Sequence, residues 1–352
     1  MSPRPNRYAE FASLVCWHRA NDDSSAHPPN GRDIERIWQE LTELFFMTDR
    51  YYAAQQSQAI VNRNRAELAH RLRSSGLRIR GRVYAVHEER VLRGLFGPFD
   101  SELASALGFS IEEVIRVLSE IPELMLASLR RFRSEQPADR HLLDAHFRRA
   151  GDYFTFGPAA MVASTGVDKG VVDRILAAFS LSRGSVSEHG LLPSPFSVLR
   201  ERPILAVGDG TYLAPSLALL LPAVQSRIEN MINPVVVMEA SQGFWNRYER
   251  HRGAWVELES DRLIRSMMPG GNGVAGAYYD TQDGRRVEGD VLYQVDDAVF
   301  LAEGKAAAFT PPSLRGASDR LDSDVRDIIT KGHDQAARTE AFVVGGGRTS
   351  WT

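Results

Sequence analysis

The stretch Arg285–Ala306 constrains the fold of this chain more than any other. Two runs of alternating residues, ending at Val295 and restarting at Ala298, flank Asp296-Asp297. Period-two alternation interrupted by two turn-forming residues reads as an antiparallel hairpin. If Val295 pairs with Ala298, the register runs outward and sets Asp290 directly opposite Glu303 on one face. Residues opposed in this way bring their Cβ atoms to about 4.5–5.5 Å. Alternation adds Lys305 to the same face, beside Glu303 and opposite Glu288. A slip of one residue would send the two acids to opposite faces.

Opposed carboxylates repel unless positive charge sits between them. A divalent cation removes that penalty, and magnesium uses one or two carboxylates together with waters and phosphate oxygens. The same residues also fit a surface hairpin with an ordinary Glu288–Lys305 ion pair. Val299, Phe300, Leu301 and Ala302 run into Glu303, which predicts a buried strand ending in a charged site. Upstream, Val256, Ser260, Leu263 and Met267 recur at helical spacing and predict an inward stripe flanked by Glu257. Pro269-Gly270-Gly271 then stops the helix. Downstream, a helix over about 318–343 places Leu321, Val325, Ile328, Gly332 and Gln335 on one face, so Gln335 is a polar group on an apolar stripe. His333 falls off that stripe, toward solvent.

These pieces together resemble the PD-(D/E)XK nuclease superfamily: Glu257 on a helix, Asp290 on one strand, and Glu303-Gly304-Lys305 after twelve intervening residues. The resemblance covers roughly residues 240–343. It implies a restriction-endonuclease-like mixed sheet flanked by helices, and metal-dependent hydrolysis of a phosphodiester, with DNA as the expected nucleic acid. It further implies that Asp290, Glu303 and the Gly304 carbonyl hold Mg2+ or Mn2+, and that Glu257 binds a second ion or orders a water. Lys305 would orient the attacking water and stabilise transition-state charge. Gln335 would match a helical glutamine that some relatives place near the catalytic lysine. The aromatic that often follows four residues later is absent, since Thr339 stands there. A complete core also has a strand after this helix. Only Ala341–Val344 is apolar at that point, so the expectation is a truncated core or one closed by a very short edge strand.

Pro and Gly clusters divide the whole chain into three zones: a mainly helical 1–137, a smaller helical and winged-type 138–233, and the nuclease-like 234–352. The fold class is therefore mixed α/β. Ile34, Ile37, Trp38, Leu41, Leu44 and Phe45 recur at helical spacing in the first zone, and Ala66–Leu72 continues the pattern. Pro203–Leu213 reads as a strand pair around Gly208-Asp209-Gly210. A weak repeat links the first two zones, because Leu103–Leu118 aligns without gaps to Met161–Leu176. Each copy has a small-residue helix, a glycine (Gly108, Gly166), a capping residue (Ser110, Asp168) and a second amphipathic helix, which resembles a helix-turn-helix. Short helix–Gly–helix pairs are also ordinary packing devices, and Glu112 and Glu113 would repel phosphates in the first copy. The best local candidate for a phosphate-facing surface is Arg71–Arg93, with seven arginines and Tyr84.

Composition removes several classes. Forty-two basic against 45 acidic residues give a net charge of -3, which excludes a globally basic nucleic-acid binder. Cys16 is the single cysteine, so neither a disulfide framework nor a cysteine zinc site fits. The longest apolar run, Tyr212–Val224, is broken by Pro215 and Pro222, and Met1–Glu10 lacks a secretion-signal core. A cytoplasmic, non-membrane chain is the expectation, with nucleic acid as partner and a homo-oligomer or protein partner docking through the N-terminal helical region. The rival reading is a non-catalytic DNA-binding or interaction protein that carries a degenerate nuclease-like domain.

Overall fold

A computed structural model describes residues 85–139, 153–182, 198–208, 210–237, 240–280, 284–307 and 318–345, with Glu43, Met47, Leu142, Ala145, His146, Ser185, Phe309, Thr310 and Ser313. The helical patterns expected over residues 34–45 and 66–72, and the arginines from Arg71 to Arg82, lie outside the described residues. The chain divides into two compact units, one up to Ala240 and one from Ser241 onward.

The first unit is built on the predicted repeat. Helix α1 (Ala85–Phe96) precedes it; α2 (Asp100–Leu107) and α3 (Ile111–Ser134) carry the first copy, and α4 (Pro158–Thr165) and α5 (Lys169–Phe179) the second. Gly108 (φ +79°) and Gly166 (φ +69°) end the leading helices in the left-handed conformation, where a Cβ is disfavoured. Ser110 forms a reciprocal capping box with Glu113, and Asp168 accepts from the Gly170 and Val171 amides. The second copy also clamps the first: the Arg174 guanidinium donates to the Gly108 carbonyl at 2.9 Å.

The second helix of each copy spends its apolar face inward. Ile111, Val114, Val117, Leu118 and Ile121 of α3 and Val172, Ile175, Leu176 and Phe179 of α5 are fully buried. Arg93 is drawn into the same scaffold, donating to Glu112 at 2.8 Å and Glu89 at 3.0 Å. Arg93 is thus paired within the unit, with its side chain 47% exposed. Behind the repeat, β2 (Ile204–Gly208) and β3 (Thr211–Leu213) form the expected antiparallel pair, and β1 (Ser180–Leu181) joins β2 in parallel. Helix α6 (Leu220–Ile232) buries Leu220, Val224 and Ile228.

The second unit runs α7 (Gln242–Met267), β4 (Asn272–Asp280), β5 (Arg286–Val295), β6 (Ala298–Ala302), α8 (Ser318–Asp324), a π-helical segment (Val325–Thr330) and α9 (Lys331–Val344). Its sheet is an antiparallel meander in the order β4-β5-β6. The mixed sheet expected for this unit is not present among its described residues. Ala341–Val344, the stretch expected to supply a short edge strand, is instead the last turn of α9, where Phe342 stacks on Tyr279. The two other departures concern exposure. Val299 and Phe300 are each 44% exposed, because β6 is an edge strand and not a buried one. Leu263 and Met267 are exposed as well, since α7 turns its Glu257, Ser260 and Ile264 side inward. Arg265 helps hold that phase by donating to the Gly273 carbonyl at 2.6 Å, over the Tyr293 ring.

Candidate functional site

The hairpin has the register that the sequence predicts. Val295 pairs with Ala298, and the ladder runs without a bulge to Val291 opposite Ala302. Asp296 takes a positive φ of 51° at the turn, a conformation that aspartate tolerates. One step beyond the last ladder pair, Asp290 and Glu303 meet, their carboxyl groups within hydrogen-bonding reach. Asp290 is buried, and its Oδ2 accepts from the Gly304 amide at 2.7 Å. Gly304 thus enters the site through its N–H, whereas the resemblance assigned a role to its carbonyl.

On the other flank of Asp290 the β4–β5 ladder skips a pair. Ala275 pairs with Val291 and Ala277 with Gly289, leaving Gly276 opposite Asp290 at φ +63°. A Cβ there would also lie 3.2 Å from Glu288 Oε1. Glycine satisfies both demands at once, and it leaves the strand beside Asp290 without a side chain.

Lys305 Nζ lies 3.7 Å from Glu303 Oε2, with the Glu303 side chain 7% exposed. That Oε2 is buried and makes no hydrogen bond. One ammonium does not compensate two neighbouring acids. Burial and the adjacent Asp290 push Glu303 up to about 7, against the downward pull of Lys305. Glu257 completes the cluster from α7: burial, then the charges of Asp290 and Glu288, raise its carboxyl above the usual range, and Lys305 again opposes. A methyl group on Gly304 would touch Val256 and stand 3.8 Å from Glu257 Cγ, which shows how closely α7 approaches this corner.

Helix α9 closes the unit through small contacts. Gly332 lies under the Lys305 side chain, so that a Cβ there would meet Lys305 Cε at 3.6 Å. Gln335 follows three residues later and is half-buried; its carbonyl accepts from Thr339 Oγ1 at 3.1 Å. Thr339 is buried, bonds with the Tyr279 hydroxyl at 3.0 Å and packs against Gly289. Tyr279 also stacks on Phe342 of α9, with ring centroids 4.4 Å apart. His333 is exposed, as its phase on the helix predicts.

Asp324 anchors the segment that follows Lys305. Its Oδ2 accepts from the Thr310 amide at 2.7 Å, the Thr310 hydroxyl at 2.8 Å and the Ser313 hydroxyl at 2.5 Å. Burial pushes this carboxyl upward, but the hydrogen bonds from Ser313 and Thr310 outweigh it and leave the group below its ordinary range. Sequence reasoning missed this clasp, along with the roles of Gly276, Gly289 and Thr339. The signals were present only as isolated small or polar residues, and each acquires meaning from its partner across the sheet.

Among the described residues no group of three or more His, Cys, Asp or Glu side chains is disposed to hold a metal ion. The site offers two carboxylates, Asp290 and Glu303, with Glu257 and Glu288 as electrostatic neighbours. An orphaned buried carboxylate oxygen beside a second carboxylate fits one hard cation that completes its shell with water. No protein-family model, no curated protein and no solved structure matches the chain. No helix among the described residues is long and apolar enough to cross a membrane.

Proposed function

We propose that the second unit is a metal-dependent phosphodiesterase acting on nucleic acid, with DNA the expected substrate. The observation that carries this reading is the Asp290–Glu303 juxtaposition, with an unsatisfied buried Oε2 and Lys305 beside it. The succession of helix, three-stranded meander and helix supports the resemblance to the PD-(D/E)XK nucleases, although the strand expected after α9 is missing among the described residues.

Asp290 and Glu303 are the residues that would hold magnesium or manganese. Bound there, such an ion supplies Lewis acidity toward a phosphoryl oxygen and lowers the pKa of a coordinated water. The chain's own groups do the remaining work. The Gly304 amide fixes one Asp290 oxygen and so orients the other. Lys305, braced against Gly332, presents an ammonium where charge accumulates during attack on phosphorus. Glu257, with its affinity for a proton raised, suits the task of orienting or deprotonating the attacking water. Gln335, on the same helix as Gly332, is assigned a supporting role near Lys305.

The test is thermal. Millimolar magnesium or manganese should raise the Tm of the wild type relative to EDTA, because a ligand that binds only the folded state stabilises it. Calcium should shift Tm as well but support little cleavage. Asp290→Ala should lose both the shift and the cleavage. Identical wild-type melting curves with and without the ions would contradict the reading.

A further inference from the structure

The face that carries the acids continues past them along the sheet. Two residues before Asp290 on β5, about 7 Å along the strand, stands Glu288, and directly opposite it on β4 is Tyr278. Tyr278 is 43% exposed, near the end of β4 at the edge of the sheet. It is nevertheless held in place. Its hydroxyl donates to the Glu288 carboxylate, which together with the nearby Glu257 charge raises the phenol above its ordinary range. Arg286, two residues before Glu288, lays its guanidinium over the ring at 5.0 Å from the centroid. The next position on β4 toward the acids is Gly276, whose missing side chain clears the path from the ring to Asp290.

A fixed, solvent-facing aromatic with an arginine stacked on it and an acid-lined centre one nucleotide's reach away is the chemistry of a single-strand contact. Every nucleobase has a π-face that can stack on an aromatic or on a guanidinium plane, and the same arginine offers donors to a backbone phosphate. Stacked bases inside a duplex have no free face to offer.

We infer that Tyr278 and Arg286 form a stacking platform for the nucleobase next to the phosphate held at Asp290 and Glu303, so that the substrate is single-stranded or locally unpaired nucleic acid. The inference rests on the phosphodiesterase reading and goes further, by naming the form of the substrate and the residues that select it. Tyr278 contacts substrate but takes no part in the bond-breaking step.

The experiment uses the full chain and a fluorescein-labelled oligodeoxythymidine, with binding read by anisotropy in calcium and cleavage read in magnesium. Tyr278→Ala should weaken binding of the single strand by about 5- to 100-fold, the effect of losing one base–aromatic stack, and raise KM with little change in kcat. Tyr278→Phe keeps the ring and should bind within about three-fold of wild type. An oligonucleotide with abasic sites should bind wild type more weakly and be indifferent to Tyr278→Ala. Arg286→Gln should flatten the salt dependence by about one phosphate contact. Tyr278→Leu, which retains bulk on the strand, guards against loss of fold and should behave like Tyr278→Ala. If Tyr278→Ala binds and cleaves as wild type does while Asp290→Ala abolishes cleavage, the platform is refuted and the phosphodiesterase reading stands. If wild type prefers duplex over single strand, the platform is again refuted. If wild type neither binds nor cleaves any strand, both fall.

Discussion

At the residue scale the chemistry turns on Glu303. Its carboxyl, pushed up to about 7 by burial and by Asp290, is half protonated near neutrality in the absence of a cation. In the unfolded chain the same group titrates near the ordinary glutamate value of 4.5. Between those two values the folded state binds more protons than the unfolded one, so stability falls as pH rises through that window. Metal-free protein should therefore melt at progressively lower temperature from about pH 4.5 to about pH 7. Glu303→Gln removes the charge that burial opposes. It should raise the metal-free Tm at pH 7, flatten the pH dependence and abolish the magnesium shift. A wild-type slope retained in Glu303→Gln would place the titrating group elsewhere. The two acids were legible from hairpin register alone, because a two-residue turn and strict alternation leave no freedom in which residues oppose each other. Glu288 and Glu257 were legible as neighbours too, but the glycine beside Asp290 was not. Gly276 matters through a skipped ladder pair, and nothing in a single strand's sequence announces where its partner will skip.

At the element scale, two devices position this corner, and both are testable. Asp324 ties the chain after Lys305 to the end of α8 with three hydrogen bonds to one oxygen. Asp324→Ala should cost about 2 kcal/mol, the range for bonds to a charged acceptor, and speed amide exchange at Thr310; unchanged protection there would show that the clasp is dispensable. Helix α9 docks by way of Gly332 under Lys305 and Thr339 against Gly289. Since a Cβ at 332 meets Lys305 only at ordinary contact distance, Gly332→Ala should be tolerated, whereas Gly332→Leu should displace Lys305 and slow cleavage while the fold survives. Equal cleavage rates for the two variants would remove Gly332 from the account. Periodicity gave α8 and α9 their correct side, from Leu321 through Gly332 to Gln335. It misjudged α7, where Leu263 and Met267 are exposed. The Arg265 contact with Gly273 and the Tyr293 ring sets that helix's rotation, and long-range contacts of this kind leave no mark on the 3.6-residue pattern.

At the scale of the whole molecule, the described residues form a mainly helical unit with a small three-stranded sheet and an αβββα unit. The glycine–cap corners of the first were readable because each uses a strong local signal, a left-handed glycine followed by Ser110 or Asp168. Asp168→Ala should lower the stability of the first unit by about 1 kcal/mol and leave the metal response of the second unchanged, which melting with and without magnesium would check. What those corners do was less legible. Their second helices point their apolar faces inward, and Arg93 is engaged with Glu89 and Glu112. The central claim lies in the second unit, where Lys305 distinguishes a catalytic centre from a pair of acids with a counter-charge. The most direct measurement is the rate at which purified wild type and Lys305→Ala cut a labelled oligonucleotide in magnesium, with both proteins shown to give the same metal-induced Tm shift. Wild type should cleave, and Lys305→Ala should lose at least about 10²-fold, the scale of removing one preorganised charge stabiliser. Cleavage by Lys305→Ala at the wild-type rate, or none by wild type, would contradict that claim.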